Sequence, residues 1–106
     1  MTLWPNDADG DVLRRLEQDK FDFDVPHELD FQIDFADWSA SYKAIENLRS
    51  RYSNVKVFEP ENGEDGYVQV TILDQVSYDL VMRMQRELTD LVSDKGGICN
   101  SWGVLH

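Results

Sequence analysis

His27, Cys99 and His106 are the residues of this 106-residue chain that could supply a soft metal ligand or a thiol–imidazole pair. None stands at a Cys-x-x-Cys or His-x-x-x-His spacing, which zinc sites use to gather donors on one side of a turn or helix. Cys99 lies in an apolar run and reads as an inert core thiol, because a nucleophilic cysteine needs an electropositive, partly exposed setting. Ser39, Ser41, Ser77 and Ser101 lack the Gly-x-Ser-x-Gly elbow of a nucleophilic serine. No glycine-rich loop runs into a helix with a following lysine, as a phosphate cradle requires. Asp7-x-Asp9-x-Asp11 begins like a calcium loop, but its sixth and twelfth positions hold Val12 and Gln18 where glycine and glutamate are needed. A charged helix start accounts for those aspartates better. The expectation is therefore a non-enzyme, with no catalytic residue, no cofactor and no metal.

Carboxylates are what the chain has in excess. The formal net charge is −11, and it is uneven: −8 over residues 1–37, +3 over 38–58, −6 over 59–79 and zero over 80–106. Such a field repels a phosphate backbone, whose binding depends on Lys and Arg. It speeds the approach of a basic partner. Asp30 and Asp34 recur on one side of an alternating strand, where they read as a solvated sheet face and not as an acid–base pair. A sheet that stacks RNA bases would place aromatics and cations there. Asp30, Gln32 and Asp34, with Gln69 and Thr71 beside Tyr67, have the wrong chemistry for it. Direct nucleic-acid binding is thus not expected, and a protein partner with a basic segment is. The candidate contact residues are Asp22, Asp24, Asp30 and Asp34, then Glu59, Glu61, Glu64 and Asp65 of a polar turn. Large residues near loops and edges, Trp4, Phe21, Phe23 and Trp102, could bury area beside them, Trp102 foremost.

The elements that must carry these residues follow from periodicity. Asn6 or Asp7 caps a first helix over 7–19, with Asp7, Asp9 and Asp11 at the positive end of its dipole and Val12, Leu13 and Leu16 as its apolar stripe. Leu29, Phe31, Ile33 and Phe35 alternate with polar residues and predict a strand. Asp37 is the expected cap of a second helix whose apolar positions are Trp38, Tyr42, Ile45, Leu48 and Tyr52. Residues 55–58 and 67–72 read as strands joined through the turn at 59–66. Leu80, Met84, Leu88 and Leu91 mark a third helix over 77–95, stopped by Gly96-Gly97, and a last strand spans 98–105. Two βαβ units joined by a hairpin predict an α+β, ferredoxin-like sandwich: a four-stranded antiparallel sheet with two helices on one face. The extra N-terminal helix is expected at the sheet edge or on its open face.

A chain of this length suits one domain, residues 1–106. No apolar run reaches the roughly 20 residues that span a bilayer. Residues 1–7 have no basic-then-apolar signal pattern, and a lone cysteine fits a reducing compartment, so a cytoplasmic location is expected.

Three segments carry a family resemblance: Asp9-Gly10-Asp11-Val12-Leu13-Arg14-Arg15-Leu16, the strand Asp30-Phe31-Gln32-Ile33-Asp34-Phe35, and Gly96-Gly97-Ile98-Cys99-Asn100-Ser101-Trp102-Gly103-Val104-Leu105. Together they resemble the family of regulators of ribonuclease E activity, type B (RraB), from about Asp7 to Leu105. The resemblance implies a small acidic ferredoxin-like inhibitor that binds the scaffold region of the endoribonuclease initiating RNA decay, without a cofactor. Two departures stand out. The chain stops at His106, where better-known members continue into a long acidic tail, and Asn100-Ser101 replaces the common Asp-Gly before Trp102-Gly103. The rival expectation is a self-associating, homodimeric or small-ligand-binding domain of unrelated role.

Overall fold

The computed structural model describes residues 6–38 and 40–104, and of Asn100 the backbone alone. Among the described residues the order is α1 (Ala8–Gln18), β1 (His27–Phe35), α2 (Tyr42–Arg51), β2 (Val55–Phe58), β3 (Tyr67–Asp74), α3 (Tyr78–Val92) and β4 (Gly97–Val104), with a 3-10 turn (Ser93–Lys95) closing α3. The class is α+β. The strands form one antiparallel sheet in the order β2-β3-β1-β4, so the first and third strands lie inside and the second and fourth form its edges.

Alternation divides this sheet into a dry and an open side. Leu29, Phe31 and Ile33 of β1, with Val68 and Val70 of β3, are fully buried and meet Leu48, Val81, Leu88 and Val92 of the helices. Burying each such side chain contributes about 1.5–3 kcal/mol, so this period-2 register cannot slip by one residue without exposing the whole row. The intervening residues, Asp30, Gln32 and Asp34 of β1, Gln69 and Thr71 of β3 and Lys56 of β2, which pairs with Gln69, form the open side.

The leading helix takes a different place from either expected one. Leu13 and Leu16 join the common core, and α1 lies against α3 on the helix side of the sheet. Its N-terminal aspartates explain the seat. Asp7 caps the helix by accepting the Gly10 N–H at 2.7 Å and also accepts the Tyr78 hydroxyl of α3 at 2.6 Å. Asp9 accepts the Trp102 indole N–H of β4 at 2.8 Å and the Gln85 amide of α3 at 3.1 Å.

The second helix begins at Tyr42, four residues later than the expected start at Trp38. Its buried positions are Ala44 and Leu48, and Tyr42 is exposed. Trp38 has instead turned out of helical register to cover Gly66, where a Cβ would come within 2.5 Å of the indole. The strand β4 contains a second departure from simple alternation. Gln32 pairs with Ser101 but Ile33 pairs with Cys99, so Asn100 is an extra residue in the ladder. Such a bulge reverses the facing of everything beyond it. Cys99 and Trp102, three residues apart, therefore both face the helices.

Candidate functional site

The open side of the sheet is built from positions that the core leaves outward. Phe31 pairs with Val70 and Trp102 on the dry side, so Asp30 stands level with Thr71 and Gly103 on the other. Asp30 accepts the Thr71 hydroxyl at 2.6 Å, and Asp34 accepts the Gln32 side-chain amide at 3.1 Å. Both carboxylates are thus oriented by neutral donors, which hold them in place and leave their charge uncompensated.

The hairpin turn between β2 and β3 is held beside Asp34. Asn62 and Gly63 both have positive φ, 52° and 83°, as a two-residue hairpin loop needs. Glu61 and Glu64 close it with paired backbone hydrogen bonds of 3.2 and 2.9 Å. Trp38 packs over Gly66 and donates its indole N–H to Glu59 at 3.0 Å, which ties the turn to the end of β1. One concavity is lined by Asp34, Gln32, Glu64, Asp65 and Tyr67. Another, on the far side of Tyr67, is lined by Phe58, Glu59, Glu61, Glu64 and Asp65. Residues distant in the chain, Asp34 and the 59–65 turn, therefore share one end of one face.

The remaining candidates lie elsewhere. Asp22 and Asp24 sit before the start of β1, at the opposite end of that strand. Asp22 accepts the Asp24 N–H at 2.9 Å and its carbonyl lies 2.9 Å from the His27 ring, while the Asp24 carbonyl accepts Gln75 at 2.6 Å. Trp102 is on the helix side, half-buried against the core, with its indole N–H committed to Asp9. Phe21 and Phe23 also pack on the core, their rings 4.9 Å apart. Trp4 and His106 lie outside the described residues. Phe58, Leu73 and Ile98 are exposed apolar residues that the sequence reading did not single out. Leu73 pairs with Glu28 and Ile98 with Asp34, and Phe58 pairs with Tyr67, which puts all three on the open side. Their alternation with buried neighbours was the signal available for finding them.

Ion pairs among the described residues join Arg14 to Asp11, Arg83 to Glu87 and Lys95 to Asp94. None involves Asp30, Asp34 or the turn. Among the described residues no group of three or more His, Cys, Asp or Glu side chains is placed to hold a metal ion. Cys99 is buried, and that burial pushes its thiol up to about 12. No helix among the described residues is long and apolar enough to cross a membrane.

The family model described as regulator of ribonuclease activity B matches residues 6–104, from the residue before the α1 cap to the end of β4. No curated protein matches the chain in sequence.

Proposed function

Because the chain belongs to the family of regulators of ribonuclease activity B, we propose that it inhibits ribonuclease E by docking the acidic open side of its sheet on a basic segment of that enzyme. Membership carries the coarser statement, a regulator of ribonuclease activity. The finer one is supported by a single observation: Asp30, Asp34 and the 59–65 turn share a sheet face without a basic side chain in ion-pair range among the described residues. Lys56 stands on the same side in β2, unpaired with these carboxylates, so the face keeps a negative excess that steers an oppositely charged segment and forms the rim of its contact. The reading includes one ferredoxin-like domain, supported by the strand order β2-β3-β1-β4, and a cytoplasmic location. The role is that of a binding protein and not an enzyme, without a cofactor. Direct RNA binding is disfavoured by the same carboxylates.

Reversing two charges tests this. Asp30→Lys with Asp34→Lys should weaken binding to purified ribonuclease E by about tenfold or more at low salt. The wild-type affinity should fall as salt rises, since exposed charges are screened beyond roughly 10 Å at 0.1 M. Equal binding by the double variant at low salt removes this face from the interaction. A second reading has its own support. Phe58, Leu73 and Ile98 are exposed on the same side, with Leu73 at 70%, and an apolar-studded open sheet can pair face to face with a second copy. A concentration-dependent dimer in a sizing experiment, abolished by Leu73→Glu, favours that reading.

A further inference from the structure

The charge is spread along the open side, but aromatic surface is gathered at one end of it. Continuing the register of Ile33 with Val68, the four strands there present Phe58, Tyr67, Asp34 and Ile98 side by side. The Phe58 and Tyr67 rings stack with centroids 4.8 Å apart and planes 16° from parallel. Phe58 is 37% exposed and Ile98 51%. Tyr67 stands between the two concavities, and Glu64 and Asp65 line both.

The adjoining turn holds like charges together. Glu61 and Glu64 are direct cross-strand partners, and like charges placed so are destabilising. No basic residue comes within ion-pair distance of them or of Asp34 and Asp65 among the described residues. The Trp38 contacts with Gly66 and Glu59 nevertheless keep the turn in place. A cation supplied from outside would relieve that repulsion without any rearrangement of the frame.

We propose that this end of the sheet seats an arginine side chain of a basic protein segment, stacked on the Phe58–Tyr67 pair and paired with the carboxylates of Asp34 and Asp65. The proposal rests on the acidic-face reading and sharpens it. Arginine fits better than lysine, because a guanidinium plane can lie on an aromatic face while its N–H fork meets a carboxylate. A nucleic acid would bring phosphates against the same carboxylates. A second copy joined two-fold through this end would set its own turn against itself, negative on negative.

The test is an amide NMR titration of the intact chain with oligoarginine and oligolysine peptides of equal length. The arginine peptide should bind several-fold tighter, with shifts gathered at residues 32–34, 58 and 64–67. Asp34→Asn with Asp65→Asn should lower arginine-peptide affinity about tenfold, whereas the equal charge change Asp22→Asn with Asp24→Asn should lower it less than about twofold. Phe58→Leu with Tyr67→Leu should abolish the preference for arginine while leaving the fold's amide pattern intact. Equal affinity for the two peptides, or equal loss from the two charge pairs, overturns the arginine seat and leaves the acidic-face reading standing. Binding of neither peptide, or shifts confined to the helix side, overturns both.

Discussion

The Asp9 carboxylate touches three elements at once: it belongs to α1, accepts Gln85 of α3 and accepts Trp102 of β4. Hydrogen bonds to a charged acceptor are worth more than neutral ones, so Asp9→Ala should destabilise the chain by on the order of 2 kcal/mol. Urea unfolding followed by tryptophan fluorescence checks this, and an unchanged midpoint would remove Asp9 from the frame. Trp102 acts here as a fastener, its indole N–H committed to Asp9. Cys99 shows the same separation of packing from chemistry. With a pKa near 12, roughly one thiol in ten thousand is ionised at pH 8. A thiol reagent at that pH should modify native protein far more slowly than protein unfolded in urea, and comparable rates would contradict the burial. Gly66 was invisible as a requirement in the sequence, because only the tertiary contact with Trp38 forbids a Cβ there. Gly66→Ala should cost about 1–3 kcal/mol through overpacking and loosen the turn that carries Glu64 and Asp65.

Secondary-structure elements with strong local signals were readable, and those decided by distant contacts were not. Alternation located β1 and β3, and the apolar spacing of Leu80, Met84 and Leu88 located α3. Asp7 serves as the expected cap of α1. The start of α2 was misplaced because Trp38 has helical spacing to Tyr42 yet gains more by covering Gly66 and meeting Glu59. The facing of Trp102 was unreadable because one extra residue at Asn100 inverts it. The seat of α1 required knowing that Tyr78, Gln85 and Trp102 converge. That seat is also sensitive to acid. The Tyr78 hydroxyl, and next the Gly10 N–H, hold the Asp7 carboxyl below its ordinary value of 3.8. A group depressed on folding supports the native state above its unfolded pKa and loses that support as pH falls through the folded value. Amide exchange in α1 should therefore stay slow from neutral pH down to about pH 4 and rise only below it, and Asp7→Asn should flatten that dependence. A rise in exchange already at pH 6 would contradict this account. The other capped helix gives a simpler check: Ser77 accepts the Leu80 N–H at 3.1 Å, and Ser77→Ala should lower stability by about 1 kcal/mol.

The molecule as a whole divides its buried core from an open surface by the two sides of one sheet. Helices and buried strand positions make the core on one side, and Asp30 and Asp34 stand on the other, oriented by Thr71 and Gln32. The sign of that side was readable from Asp30 and Asp34 alone. The company it keeps was not, because the Asn62-Gly63 hairpin and the Trp38 clamp bring the 59–65 turn against Asp34 only in three dimensions. The same folding leaves Asp22 and Asp24 at the far end of β1, so the acidic sequence candidates split into two separate groups, with Trp102 on the helix side apart from both. Membership in the family of regulators of ribonuclease activity B supplies the kind of partner, and the charged face supplies the proposed means of holding it. The most direct test is an amide NMR map of the isotope-labelled chain titrated with the purified scaffold region of ribonuclease E. The account predicts that the shifted residues will lie on the open side, at 30–34, 58 and 61–67, and will lose their shifts in the Asp30→Lys, Asp34→Lys variant. Shifts gathered on the outer faces of α2 and α3, unchanged in that variant, would contradict it.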